Sequence, residues 1–410
     1  MAPPLAGPRS ATQPAGAADS RYANVVCPAG AIDPQIRSAT ETVRMTTRRN
    51  FIKTMAVIAG GVLLQPHRIS AMTHDDKVWF MPDEGDPHKR TWMAFGASKK
   101  VWGGTLLPEV QRNLATVALT IAKYESVSML VREEDYATAR TLMGKAVNLI
   151  PCPLDDLWMR DIGPVFVVTE AGGKAGIGFN FNGWGEKQDF DRDAKVAGFV
   201  AKTSGAERIR TNLVLEGGGI EVDGQGTAII AESCVLNSNR NPGVEKAACG
   251  VELKRLLGLE KIIWLPGIQG KDITDGHTDF YARFAKPGVV VAGYDPDPKS
   301  FDHAVTTRHL EILRAATDAE GRSLKVVVLE APSDVREEYA SDDFAAGYIN
   351  FYVCNGAVIA PEFGDATADR VANQKLRELF PEREIVQINI DGIAAGGGGI
   401  HCTTQQEPVA

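Results

Sequence analysis

The chain is poor in aromatic residues, at 7% of 410, and it has no extended apolar run. The stretch at 55–64, MAVIAGGVLL, covers ten residues, whereas a helix needs about twenty to cross a bilayer. Stable membrane insertion is therefore not expected. Positive charge is also in short supply: 44 Lys and Arg face 52 Asp and Glu, a net charge of −8. Without a basic stripe interleaved with aromatics, nucleic acid is not an expected partner, and the acidic balance suits a small cation. Cysteine is scarce too, six in all. None falls in a C-x-x-C pair, and His401 and Cys402 lack zinc-ligand spacing, so no metal is expected. What the chain does have is bulk. With 44% hydrophobic residues it can bury one large core or two ordinary ones, and the sequence is compatible with a homo-oligomer.

Residues 1–44 are rich in Ala, Pro and Gly without periodicity, and read as a disordered extension or an over-extended gene start. Within 45–72, the run TTRRNFIKT followed by the short apolar stretch resembles a twin-arginine export signal of a bacterial protein bound for the periplasm or beyond. That route carries folded proteins. A chain folded in the reducing cytoplasm does not depend on disulfides, so Cys152, Cys234, Cys249 and Cys354 are expected as free thiols.

From residue 77 to 410 the pattern is one of short β-rich runs alternating with helical spacing, an α/β domain. Strands are expected at Thr91–Phe95, Val127–Val131, Thr227–Ile230, Val289–Ala292 and Tyr348–Val353, among others. Helices are expected at Leu107–Tyr124, Lys195–Thr203, Gly243–Leu256, Ala304–Thr317 and Ala368–Leu379. Polar segments recur between them near Asp161, Glu216, His277, Asn350 and Cys402, at similar intervals. Such intervals predict a handful of similar units whose loops converge.

Four of those segments carry chemistry. Asp161 lies between Arg160 and a Gly-Pro turn, and Glu216 precedes three glycines. His277 and Asp279 stand two apart, on one face if that stretch is extended. Gly396–Gly399 lead through His401 to Cys402, a backbone free to take positive φ and to press against a ligand. Each has a plain alternative: an Arg160–Asp161 ion pair, ordinary glycine turns, a core histidine, a buried small thiol. Together they assemble a thiol, an imidazole and three carboxylates.

The ordered motifs WMRDIGP (158–164), EGGGIEVDG (216–224), SNRNP (238–242), DGHTD (275–279), YINFY (348–352) and GIHCTTQQEP (399–408) resemble those of the agmatine deiminase and bacterial-type peptidylarginine deiminase family, within the guanidino-group-modifying superfamily. The likeness runs from about Trp79 to Pro408. It implies a pentein α/β-propeller of five ββαβ-type units around a pseudo-fivefold axis. It also implies roles: Cys402 as nucleophile, His277 as general acid and base, and Glu216 as the acid beside the histidine. Asp161 and Asp279 would grip the guanidinium, while Trp158 and Gly399 would belong to the substrate channel. Two positions depart from the family pattern. Gly399 stands where many relatives have Asn, and Ile273 where an acid is associated with the distal amine of agmatine.

The implied chemistry suits these side chains. A guanidinium is a planar cation best held by paired carboxylates, and a thiolate is a strong nucleophile near neutral pH. No cofactor is needed. Agmatine, converted to N-carbamoylputrescine and ammonia, is the expected substrate; peptidyl-arginine or another guanidino compound is the alternative. Amidino transfer would intercept the same intermediate with an amine, and a non-catalytic pentein would need neither thiol nor histidine. A papain-like protease is disfavoured, because it does not need the paired carboxylates.

Overall fold

The structure is a computed structural model that describes residues 78–341 and 344–410. The expected export segment at 45–72 and the extension before it lie outside the described residues. Among the described residues, no helix is long and apolar enough to cross a membrane, and Cys152, Cys234, Cys249, Cys354 and Cys402 are free and buried.

Among the described residues, sixteen strands form five small sheets; all but the first are built on one plan, an antiparallel hairpin and then a helical crossover to a parallel third strand. In the first, β1 (His88–Phe95) is followed by the helix Lys99–Ile121, then β2 (Val127–Val131) and β3 (Asn148–Pro151), which run parallel to it. The second holds β4 (Val165–Val168), β5 (Lys174–Gly178) and, after the helix Val196–Thr203, β6 (Glu207–Arg210). The third holds β7 (Ile220–Val222), β8 (Thr227–Ala231) and, after the helix Lys246–Leu257, β9 (Lys261–Leu265). The fourth holds β10 (Ala282–Lys286), β11 (Val289–Tyr294) and, after the helix Phe301–Ala315, β12 (Lys325–Glu330). The fifth holds β13 (Tyr352–Cys354), β14 (Ala357–Glu362) and, after the helix Ala366–Leu379, β15 (Glu384–Asn389). The last strand, β16 (Thr404–Pro408), returns to pair antiparallel with β1 and completes the first sheet. Repeated ββαβ units in this number are the pentein architecture.

Local sequence accounts for most of this. Along Lys99–Ile121 the buried residues Val110, Leu114, Val117, Ala118 and Ile121 fall on one stripe at three- and four-residue spacing. Full burial of each large aliphatic there is worth about 1.5–3 kcal/mol. The helix begins earlier than the apolar pattern indicates. Ser98 caps it through Val101 N, and the first turn is broken at Gly103, whose φ of 67° and ψ of −180° are not helical. β2, VSMLV, is buried at every position, as an inner parallel strand requires.

Two sequence expectations change. The strand expected over Tyr348–Val353 is paired only at Tyr352–Cys354, because the chain turns at Gly347–Asn350. The segment holding His277 and Asp279 is not extended throughout. His277 is the cap of a 3-10 turn, Thr278–Phe280, that contains Asp279.

Candidate active site

Each module delivers polar groups in the short segment ahead of its leading strand. Asp161 sits on the turn Met159–Ile162 before β4, and Glu216 just before the Gly217–Gly219 turn that enters β7. His277 and Asp279 precede β10, Asn350 precedes β13, and Cys402 lies on the turn His401–Thr403 before β16. The repeat of the fold is therefore also the repeat of the site.

These groups meet around Gly218. A Cβ built there would lie 2.6 Å from His277 Nδ1, 3.0 Å from Asp161 Oδ1 and 3.2 Å from Asp279 Oδ2. Only a residue without a side chain lets the three approach so closely. Cys402 Sγ is 3.6 Å from Asp279 Oδ2. Asn350 holds the cysteine from two sides: its Nδ2 donates to Sγ at 3.3 Å, and its Oδ1 accepts from Cys402 N at 3.3 Å. His277 and Asp279 thus share one site despite the turn between them.

Glu216 stands behind the histidine. Its Oε2 faces His277 Nε2 at 3.2 Å, and Arg240 Nε donates to its Oε1 at 2.9 Å. Arg240 also donates to Asp275 Oδ2 at 2.7 Å. This leaves His277 Nδ1, buried and without a hydrogen-bond partner, on the side of Asp161. Asp161 does not pair with its neighbour Arg160, which instead binds Glu84 and Gln406. Its Oδ2 accepts from Trp184 Nε1 at 2.9 Å and its Oδ1 from Gly218 N at 3.2 Å.

Charge is strongly coupled here. Burial, with Glu216 and Asp279 nearby, pushes the Asp161 carboxyl up to about 6, although His277 pulls the other way. Burial alone would push His277 down, but Asp161, Cys234 and Glu216 together hold it well above the usual imidazole range. Burial drives the Cys402 thiol far up, and the charges of Asp279 and Asp161 add to this. The N–H of Gly399 and the Asn350 side chain oppose it. Burial would also raise Glu216 and Asp279; His277 and Arg240 outweigh it for Glu216, and His401 does so for Asp279, leaving both below their ordinary values. A site with a protonated thiol, an imidazolium and closely spaced carboxylates is arranged to receive a cation.

Above this floor opens a cavity of about 250 Å³ lined by Cys402, Asp161, Trp158, Trp102, Ile273 and Phe280, among others. Asp156 sets the wall, accepting from Trp102 Nε1 at 2.8 Å, Trp158 Nε1 at 3.0 Å and Gln188 Nε2 at 3.0 Å. Gly396, Gly397 and Gly398 also line the cavity and pack on this wall: a Cβ on Gly396 would sit 2.1 Å from the Trp102 ring and one on Gly398 2.1 Å from the Trp158 ring. Gly399, expected in the channel, lies instead against Asn350, 2.4 Å from a Cβ built on it to Oδ1. It belongs to the setting of the sulfur, not to the wall.

Sequence reasoning left out Glu84, Asp156, Trp184, Arg240 and His401. Cys234, expected only as a free thiol, is free and buried, and its Sγ donates to Glu216 Oε2 at 3.4 Å. Glu216, Cys234 and His277 could in geometry hold a metal ion. The Arg240 guanidinium already occupies Glu216, so a divalent cation there would meet an established positive charge.

The sequence profile of the Porphyromonas-type peptidyl-arginine deiminases matches residues 80–408. The chain belongs to this family. An agmatine deiminase of Stutzerimonas stutzeri is 37% identical over 356 residues, covering 80% of this chain and 95% of its own length. A Streptomyces coelicolor relative is 43% identical over 337 residues, covering 80% of this chain and 98% of its own. The solved agmatine deiminase of Enterococcus faecalis superposes with a TM-score of 0.77 at 32% identity, across 81% of this chain and 96% of that one. The deiminase family thus spans the whole described domain, all five modules included.

Proposed function

We propose that the protein is an agmatine deiminase, a hydrolase that cleaves a C–N bond of the guanidinium and releases ammonia and N-carbamoylputrescine. The observation that carries this reading is the meeting of one thiol, one imidazole and two carboxylates, with Cys402 and Asp161 of that group lining a cavity whose walls are largely apolar. The family and its agmatine-deiminating relatives support the choice of substrate.

The chemistry follows from the charges. A guanidinium entering between Asp161 and Asp279 brings the positive charge that these carboxylates lack, and bidentate contacts fix its plane. The same charge relieves the repulsion that keeps Cys402 protonated, so its proton leaves to solvent as substrate binds. The thiolate attacks the guanidinium carbon, forming a C–S bond. His277 then passes its proton to one nitrogen, and ammonia departs as the C–N bond breaks. Now neutral, the histidine takes a proton from water, which attacks the S-alkylthiouronium. Collapse of this second adduct breaks the C–S bond, its hydroxyl proton returns to the departing sulfur, and the ureido product is left with the thiol and the imidazolium restored. Glu216 steadies the imidazolium from behind.

Ammonia release from agmatine, free arginine and a peptidyl-arginine, with no amine acceptor present, tests the assignment. Agmatine should give the highest kcat/KM. A higher value for either arginine substrate overturns the substrate choice, and ammonia that appears only with an added amine overturns hydrolysis.

The cavity lining leads to a separate expectation. Ile273 lines the cavity, at the position where the family pattern associates an acid with the terminal amine. Asp272 and Asp275 do not take that place. Asp272 accepts from Thr274 and Gly276, and Asp275 is engaged by Lys187, Asn239 and Arg240. Ile273→Glu should lower KM for agmatine, by about fivefold for an ion pair of about 1 kcal/mol. It should leave an uncharged alkylguanidine of equal length unaffected. Equal responses from the two substrates would show that residue 273 does not face the amine.

The reading includes export by the twin-arginine route, supported by Arg48 and Arg49 followed by a short, weakly apolar stretch. Arg48→Lys with Arg49→Lys should retain the protein in the cytoplasmic fraction. Undiminished periplasmic activity from that variant would rule the route out.

A further inference from the structure

A second imidazole stands directly before the nucleophile, and the scheme above does not use it. His401 is 1% exposed. Its Nδ1 lies 2.7 Å from Asp279 Oδ2 and its Nε2 2.9 Å from Glu84 Oε2. A neutral imidazole offers one donor and one acceptor, so it would turn a lone pair towards one of these carboxylates. In a dry interior that arrangement is costly. With both nitrogens donating, each carboxylate is satisfied and the ring is a cation.

The far side of the ring is firmly anchored. Glu84 also accepts from Arg283 Nη2 at 2.7 Å and from Arg160 Nη2 at 2.9 Å, and Arg283 Nε donates to Glu221 Oε2 at 2.8 Å. On the near side, His401 occupies only one oxygen of Asp279. The other, Oδ1, is buried and has no partner.

We propose that His401 is a positioning residue for the deiminase reaction: it holds Asp279 ionised by one oxygen and leaves the other as the acceptor presented to the guanidinium. The oxygen it holds is the one 3.6 Å from Cys402 Sγ. Its charge therefore also offsets the repulsion between that carboxylate and a forming thiolate. This rests on the function proposed above, although the charge state of the ring does not.

The groups around Asp279 fix the direction of the effect. Burial raises its carboxyl, while His401, His277 and Arg283 lower it to a net position below the usual value. Asp161 faces it as the opposing anion and Cys402 as a neutral thiol, and Asn350 donates to its backbone carbonyl. A lowered carboxylate is ionised down to low pH and protonates only below its shifted value. Without His401, burial and Asp161 dominate, and protonation moves to higher pH.

The test uses full-length His401→Gln, which keeps one amide donor but no charge, with His401→Asn as a second variant. The acid limb of kcat/KM for agmatine should move up by about one pH unit or more and steepen, since a second buried carboxylate now titrates beside Asp161. Near neutral pH, kcat/KM should fall by about 100-fold, with partial recovery as pH rises. A merely structural loss would lower activity equally at every pH. In wild type, nitrogen-15 histidine spectra at neutral pH, assigned through bonds, should show hydrogen on both His401 ring nitrogens. A bare ring nitrogen there, or an acid limb superimposable on that of wild type in a folded variant, overturns the proposal. The spectrum decides even where neither variant folds. If wild type deiminates no guanidine, the functional reading fails while the spectrum still settles the ring's charge.

Discussion

Cys402→Ser should abolish ammonia release while leaving the melting temperature near that of wild type. The sulfur is buried and held by Asn350 Nδ2 at 3.3 Å, a contact that a hydroxyl can also accept. The exchange is close to isosteric, so a stability change within about 1 kcal/mol is expected. Reactivity is another matter. A serine hydroxyl is barely ionised near neutral pH, and His277, held protonated by Asp161, is a poor base for it. Binding should survive, because Asp161 and Asp279 are untouched. Calorimetry with agmatine should therefore report an affinity similar to that of wild type. Turnover by the variant at even a tenth of the wild-type rate would remove Cys402 from the chemistry.

Asp161→Asn should cripple turnover and at the same time make the free thiol more reactive. The first effect is the loss of a buried charge on the cation. One charge-assisted contact is worth about 1.5–3 kcal/mol, and misorientation adds to it, so kcat/KM should fall by about 100-fold or more. An amide also fits poorly. Both oxygens of Asp161 accept from fixed donors, Trp184 Nε1 and Gly218 N, and an NH2 group would confront one of them. The second effect comes from Cys402, whose proton is retained partly because Asp161 is negative. Removing that charge stabilises the thiolate in the empty site, so alkylation by iodoacetamide at neutral pH should accelerate. Opposite signs for turnover and alkylation are the signature. If alkylation slows together with turnover, Asp161 does not act through charge. In wild type, the carboxyl near 6 should set the acid limb: as pH falls through that value Asp161 is neutralised and the grip on the guanidinium is lost.

The sequence was most legible where burial is apolar. β2 and β8 are buried throughout and read as strands, and the helix Ala366–Leu379 shows its face by spacing. It was least legible in strands that are buried but polar. β16, TQQEP, is buried at every position, and β10 carries Arg283, fully buried against Glu221 and Glu84. Such segments look like loops because their partners, not their own periodicity, make them interior. The site divides in the same way. Cys402, His277, Glu216, Asp161 and Asp279 stand out in glycine-marked motifs whose residue types suit guanidinium chemistry. Glu84 does not, since its partners Arg160, Arg283 and His401 are 76, 199 and 317 positions away. No local pattern encodes such a meeting.

The pairing of β16 with β1 has a temporal side. Trp92 aligns with Gln405 and Met93 with Thr404, so closing this sheet joins segments more than three hundred residues apart. Contacts of that span are among the slowest to form, because the chain entropy must be surrendered before they reward it. Cys402 lies only two residues before the strand that makes this contact. Its neighbours Asp279 and Asn350 can gather without it, but the sulfur reaches them only when the ring shuts. During refolding, recovery of activity should therefore lag behind recovery of helical signal. The thiol should also stay open to alkylating reagents throughout that interval, and become shielded in the same step that makes it a catalyst.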